Sequence, residues 1–561
     1  MSLSLPAGTT SKLLVSVGGT LGAYLLCHLL RLVYEEFRSP LRFLPGPKSA
    51  HWLFGNIREI FRAENSVLHE QWVREFGDTL QYKLFFGRKR LYTVDTKALN
   101  HFLTNSYIYQ KPEPQRFGLT RILGPGILVA EQDEHKLQRK IMVHSSAFKV
   151  PSVLNEYVLQ NPAFGYPQVR ELTPIFLDKS HELRDIWAAE IRKSDDGVAR
   201  INVLSWMGKA TLDIIGLAGF NYSFNSLAKE GDSELGKAFE TIFNGTEQFR
   251  IFGLLQMLIP ILRKIRTNID KTTDAARETM MRVASQLLQD SKREMAENGT
   301  FEKGSGPRSR DLLSLLVRAN TEKDLPPNQR LSDLDVMAQI PTFFLAGHET
   351  TSTGTTWALF ALTQNKAAQT RLREELFTIE SDTPTMDEIN ALPFLDCVVR
   401  ETMRLHAPVP STIREATQDD VVPLATPYTD VNGVVHETLQ IYKGQTIMIP
   451  ILAMNRDERI WGPDSREFVP ERWEKEVSNS IPGVWGHMLT FLGGPRACIG
   501  YRFSLVETKC LLFSLLRAFE FDLAVPVEDI GKKSTVTQRP LVKSEPKAGY
   551  QLPLLVRPYA R

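Results

Sequence analysis

The segment Phe491-Leu492-Gly493-Gly494-Pro495-Arg496-Ala497-Cys498-Ile499-Gly500 constrains this chain more than any other stretch. A single thiol follows a Gly-Gly-Pro turn, and an apolar helix, Phe503 to Leu516, is expected to begin just beyond it. Glycine opens backbone conformations closed to other residues and lets a flat ligand come close. A helix amino terminus supplies free N–H groups and a partial positive charge, and both favour a thiolate over a thiol. Arg496, two residues before the cysteine, carries a planar fork of donors suited to a carboxylate. Cys498 therefore stands apart from Cys27, Cys397 and Cys510, which lie in apolar runs and read as structural cysteines.

Composition narrows the class. A chain of 561 residues with 42% hydrophobic content can bury a large core. Length alone suggests three or four domains of roughly 150 residues, but no long Gly/Ser/Pro linker divides the middle, so one large domain is expected. The 67 basic and 65 acidic residues leave a formal charge of +2, which gives no ground for nucleic-acid binding. Four cysteines without CxxC or zinc-like spacing are too sparse for a disulfide framework and fit a reducing compartment. Sequons at Asn221, Asn244 and Asn298 matter only if the domain faces a lumen.

Residues Leu13 to Leu30 are almost all apolar or small. At about 1.5 Å per residue they reach about 27 Å, enough for a thin bilayer. A cleaved signal peptide and a core helix are the competing readings; a single anchor over 13–33 is preferred, after a luminal stub at 1–12. Arg31, Arg38 and Arg42 follow the span and only Lys12 precedes it, so the positive-inside rule puts the main domain in the cytosol. Leu44-Pro45-Gly46-Pro47 lies in a stiff hinge over 34–50, and the main domain is assigned to 51–561.

Along the body, partly alternating runs on either side of Gly87-Arg88-Lys89 predict a β-hairpin within Leu80–Val94. Helical periodicity marks Val203–Phe220, Thr273–Asn298, Asp333–Thr363 and Lys366–Glu380. Asn298–Arg310 reads as an exposed loop, and Asp420–Gln445 and Val536–Val556 as short strands. The fold class is mainly α with small β-sheets, α+β.

Three further segments carry chemistry. Ala346-Gly347-His348-Glu349-Thr350-Thr351 lies in the helix from Asp333, where Pro341 and Gly347 weaken the ladder and a hydroxyl beside a local opening would hold water. Glu401-Thr402-Met403-Arg404 puts opposite charges at i, i+3 on one helix face; taken alone this is a surface ion pair contributing under about 1 kcal/mol. His135-Lys136-Leu137-Gln138-Arg139 sets a histidine and an arginine at i, i+4. With the cysteine loop, these segments resemble cytochromes P450. Phe491, Gly494, Arg496, Cys498 and Gly500 match that family's haem-binding signature, Ala346–Thr351 its oxygen-activation motif, and Phe468-Val469-Pro470-Glu471-Arg472-Trp473 its later arginine segment. The resemblance runs from Pro45 to the carboxyl terminus.

The resemblance implies a cytochrome P450 fold and haem b held by Cys498 as axial iron ligand, with Phe491 and Gly500 framing the loop. It implies haem-carboxylate partners at Arg496, His135, Arg139 and Arg414, although a surface position is the plain alternative for His135. Glu349 and Thr350 would organise water and deliver protons to bound dioxygen, with no metal role for His348. Glu401, Arg404 and Arg472 would form a buried network behind the cysteine loop. The implied activity is monooxygenation of a lipophilic small molecule at the endoplasmic reticulum membrane, with terpenoid oxidation in fungal specialised metabolism one example. No flavin or nicotinamide region is recognisable, so electrons are expected from an NADPH–cytochrome P450 reductase, with cytochrome b5 as a second donor. Lys136, Lys140, Arg502 and Lys509 are candidates for steering it, though each also reads as plain surface charge. Phe117–Leu128, Gln339–Gly347, Val409–Ile413 and Leu541–Lys547 are candidate pocket segments, and the apolar stretch Phe249–Leu262 is a candidate substrate entry or, equally, helix core. A peroxide-rearranging isomerase on the same fold and a non-enzymatic haem-binding membrane protein are the alternatives.

Overall fold

The computed structural model describes residues 39–143, 164–228, 260–297, 311–321 and 330–560 apart from 478 and 535, together with isolated positions between 16 and 38 and at 234, 235, 238 and 256. Most of the expected anchor, the 298–310 loop and most of 249–262 lie outside the described residues.

The long helix Asp333–Gln364 organises the molecule. It starts at a capping box, in which Ser332 accepts from the Asp335 N–H and the Asp335 side chain accepts from the Ser332 N–H. Almost every later position is buried, as its mixed apolar and threonine content requires. Val203–Phe220 and Tyr501–Ala518 pack on it, and Tyr166–Ile191 packs on both of these. Val203–Phe220 is the one helix among the described residues long and apolar enough to cross a membrane, yet 67% of it is buried in the protein, as a core helix is. Gly347 is explained by this packing: a Cβ there would sit 2.7 Å from Ile215 Cγ1. One continuous helix carries both Pro341 and Gly347. The Thr350 hydroxyl donates back to the Ala346 carbonyl at 2.7 Å.

Twelve strands are described: β1 (Thr79–Lys83), β2 (Lys89–Thr93), β3 (Tyr109–Gln110), β4 (Ala199–Asn202), β5 (Thr412–Ala416), β6 (Asp420–Thr429), β7 (Val435–Ile441), β8 (Thr446–Ile449), β9 (Phe519–Leu523), β10 (Ile530–Ser534), β11 (Gln538–Val542) and β12 (Pro553–Pro558). The largest sheet runs β1-β2-β8-β5-β3. The expected hairpin is β1–β2, antiparallel with Thr79 opposite Thr93 and Lys83 opposite Lys89. The first strand ends at Lys83, short of its apolar run, because Phe86 at φ 56° carries the end of that run into the turn. The predicted helices are all present within a few residues, with the second extended to Asn268–Glu297 and the last ending at Leu376.

Candidate functional site

The cysteine loop is shaped by backbone contacts. Cys498 N–H donates to the Phe491 carbonyl at 2.8 Å, closing the loop on itself. Gly494 has φ 67°, and a Cβ there would lie 2.4 Å from the Leu103 carbonyl oxygen. Gly494→Ala therefore combines a left-handed backbone, costing about 1–2 kcal/mol, with a clash against fixed main chain. The expected outcome is a strong fall in the haem-to-protein ratio of the purified variant, read from its absorption spectrum.

The loop forms one wall of a cavity of about 310 Å3. Thr490, Phe491, Leu492 and Arg496–Ile499 supply that wall. Thr342, Phe343, Ala346, Thr350 and Thr351 of the long helix supply another; their spacing of three, four and eight puts them on one helix face. Thr412 and Arg414 enter from alternate positions of β5. His135 and Arg139 enter from the helix Gln132–Val143. The lining contains Lys111, His135, Arg139, Arg414 and Arg496, with no carboxylate. Elsewhere it is almost wholly apolar.

The electrostatics follow from crowding of like charge. Arg496 pairs with Glu131 and donates to the Ala130 carbonyl at 2.7 Å, and Arg139 donates to the Ala497 carbonyl at 2.8 Å. Lys111 lies 3.7 Å from Glu131. Burial, then the neighbouring Arg414, pushes Lys111 down to about 7 despite Glu131. Burial with Arg496, Arg139 and Lys111 pushes His135 down to about 3, so its imidazole is neutral. Burial likewise takes Arg414 down to about 10. Cys498 faces the open cavity while protein surrounds it on the other sides. Burial raises its thiol pKa and outweighs the opposing Gly500 N–H and Arg139.

These features fit haem. An apolar slot accepts a flat macrocycle, an edge whose cations outnumber the buried Glu131 accepts its carboxylates, and a thiol on the adjoining wall is available to a metal. The sequence reasoning missed Lys111, whose only signal is a lysine ahead of Pro112.

Glu349 does not share the wall with Thr350. Thr537 Oγ1 and Arg539 Nε donate to its Oε1 at 2.7 and 2.6 Å, holding the side chain towards β11. His348 Nε2 lies 3.9 Å from Glu349 Oε2. Thr537 and Arg539, at the start of β11, thus reach the long helix at Glu349, and Leu541–Lys547 does not line the cavity. Of the other expected pocket segments, Ile127, Leu128, Thr342, Phe343, Ala346, Val409 and Thr412 do. Behind Thr351 sits Glu507, fully buried, with the Thr351 hydroxyl beside its carboxyl group. Burial raises its pKa well above the usual carboxyl range, so it is protonated. A charged residue inside an apolar helix was its only mark in the sequence.

Glu401, Arg404 and Arg472 come together. Arg404 Nε and Nη2 donate to the Glu401 carboxylate at 2.9 and 2.8 Å, with both residues 0% exposed, and Arg472 Nε lies 3.6 Å away. The surface-pair alternative is excluded. Trp473 Nε1 and Val469 N–H complete the carboxylate's partners at 2.9 and 3.0 Å. Lys509, expected to steer a partner, is buried and pairs with Asp396 at 2.8 Å; Lys136, Lys140 and Arg502 are exposed.

The family model described as cytochrome P450 matches residues 45–546. The chain is similar to cytochrome P450 monooxygenase 205 of Postia placenta, 50% identical over 556 residues, covering 98% of this chain and 99% of that protein. It is 47% identical over 554 residues to monooxygenase 128 of the same fungus, covering 97% and 98%. It is 34% identical over 543 residues to cytochrome P450 monooxygenase claP of Ampulloclitocybe clavipes, covering 94% of each.

Proposed function

Because the chain belongs to the cytochrome P450 family and is a haem-thiolate monooxygenase, we propose that it oxidises a neutral lipophilic small molecule with Cys498 as iron ligand and electrons from a separate NADPH-dependent reductase. Haem, when bound, supplies the oxygen activation. The residues supply orientation and proton control. Arg496, Arg139, Arg414, Lys111 and neutral His135 would hold the haem carboxylates at the cation-rich edge. Ile127, Leu128, Phe343, Ala346 and Val409 exclude water and present an apolar face to substrate. Thr350 is the hydroxyl closest in sequence and placement to a proton-delivery role. Glu349 serves it from behind, held by Thr537 and Arg539. The observation that carries the reading is the cavity itself, which joins Cys498, five basic residues and Thr350 around otherwise apolar walls.

The domain plan follows: a stub at 1–12, an anchor at 13–33, a hinge at 34–50 and a cytosolic catalytic domain at 51–561, on the endoplasmic reticulum. Tyr24, Leu26 and Leu30 support it, being apolar, helical and each more than half exposed. Cytochrome b5 as second donor and a place in fungal specialised metabolism, such as terpenoid oxidation, complete the reading.

The test is turnover in membranes carrying the protein with and without a reductase, over a panel of lipophilic compounds. Product formation should require NADPH, reductase and dioxygen together. Thr350→Ala should keep its haem and lose most product per NADPH consumed. Rearrangement of a hydroperoxide into its own isomer with neither NADPH nor reductase, and no reductase-dependent product from the panel, would overturn the reading in favour of an isomerase.

A further inference from the structure

A second cavity, of about 240 Å3, opens where the amino-terminal helical stretch meets the domain. One wall is Tyr34, Glu36, Arg38 and Ser39; the others are Arg88–Lys89 at the β1–β2 turn, and Asp419 with the 442–445 turn. Four cations, Arg38, Arg88, Lys89 and Lys443, face two carboxylates. Lys89 pairs with Glu36, and Asp419 accepts the Lys443 backbone N–H at 2.8 Å. Arg38, Arg88 and Lys443 are exposed, and none of the three side chains has a carboxylate within 4.0 Å among the described residues.

The fold holds these cations in place. Gln445 Nε2 donates to Ser39 Oγ at 2.7 Å, which ties the chain just after the span to the turn before β8. The Arg38 guanidinium lies 5.7 Å from the Tyr34 ring centroid and 5.9 Å from that of Tyr442. Exposed aromatic side chains accompany the cluster: Phe37 precedes Arg38, Phe86 lies two residues before Arg88, and the Phe86 N–H donates to Leu53 O at 2.9 Å, next to exposed Trp52. Aromatic rings beside basic residues are what the boundary between headgroups and acyl chains selects. Cations that outnumber the carboxylates beside them favour an anion, and the arginine forks match phosphate oxygens. Basic groups just cytosolic of a span are drawn to anionic lipid.

We propose that this pocket binds the anionic headgroup of a phospholipid in the leaflet entered by the amino-terminal span. The inference rests on the anchor reading above. Its ligand chemistry is a headgroup of net negative charge, a phosphodiester together with a carboxylate, with the lipid as the source.

The test uses full-length protein in detergent micelles with equal phosphatidylserine and phosphatidylcholine, and retained lipid read by native mass spectrometry. Wild type should retain phosphatidylserine about tenfold over phosphatidylcholine, a difference of about 1.4 kcal/mol. The triple variant Arg38→Gln, Arg88→Gln, Lys443→Gln should bring the ratio close to unity while keeping its haem absorption. Lys443→Glu alone, on an exposed turn, should move it in the same direction. No preference in wild type, or one that survives all these changes, overturns the proposal. Displacement of the lipid by millimolar inorganic phosphate also overturns it, in favour of a soluble-anion site. Flotation with phosphatidylcholine vesicles reads the anchor separately: wild type failing to float would remove the anchor and leave the micelle preference to stand or fall by itself.

Discussion

Glu401→Ala is expected to yield little soluble protein and almost none carrying haem. Glu401 is 0% exposed and accepts from Arg404, Trp473 and Val469, with Arg472 alongside. Removing it leaves the equally buried Arg404 facing only the carbonyls of Asn455, Ser465 and Glu467. Breaking a buried charged network from one side costs about 3–5 kcal/mol, a large part of the roughly 5–15 kcal/mol that keeps a domain folded. The damage reaches the haem site by a traceable route. The Asn455 side chain accepts from Leu489 N–H at 2.9 Å and donates to Thr490 Oγ1 at 2.7 Å, while Thr490 donates to the Met403 carbonyl at 2.8 Å. Thr490 opens the segment that carries the cysteine loop, and both Thr490 and Met403 line the cavity. Soluble yield and haem-to-protein ratio measure the effect. Folded, haem-loaded Glu401→Ala in normal yield would show that the cluster is dispensable.

Cys498→Ser is expected to behave in the opposite way: folded, but spectrally and catalytically changed. The backbone bond from residue 498 to the Phe491 carbonyl does not depend on the side chain. The sulfur faces the cavity, and serine nearly matches its volume. Reduced wild type exposed to carbon monoxide should show a strongly red-shifted Soret band, because a thiolate donates electron density through iron. The variant should lack that band and lose monooxygenase turnover. An unshifted band in wild type would mean that the thiolate is protonated or displaced. A red-shifted band that persists in the variant would remove Cys498 as ligand.

The two variants separate two kinds of legibility. Cys498 could be picked out because its neighbours have conformational signatures: Gly493, Gly494 and Pro495 report a turn wherever they occur together. The Glu401/Arg404 pair was visible as an i, i+3 pair, but its burial was not. Burial depends on Trp473, Val469 and Arg472, which are about seventy residues distant along the chain and come close only when the core closes. Glu349 and Thr350 illustrate the limit. Adjacent residues on a helix point about 100° apart, so one faces the cavity and the other meets Thr537 and Arg539 from the far end of the chain. Gly347 was read as a weak point in the helix, and it proves to be a contact point for Ile215.

The sequence by itself determined the helices, the hairpin, the turn that carries Cys498 and the basic residues suited to carboxylates, since propensity, periodicity and turn chemistry act over a few neighbours. Only the tertiary structure decided which charges are buried and which titrations are displaced. Lys111 joins the basic residues of the haem site, Lys509 leaves the surface, and burial raises the pKa of Glu507 behind Thr351 and that of Cys498 against the pull of Arg139. The physical reason is that desolvation and charge–charge interaction depend on three-dimensional distance and on the exclusion of water, and neither is encoded by position along the chain.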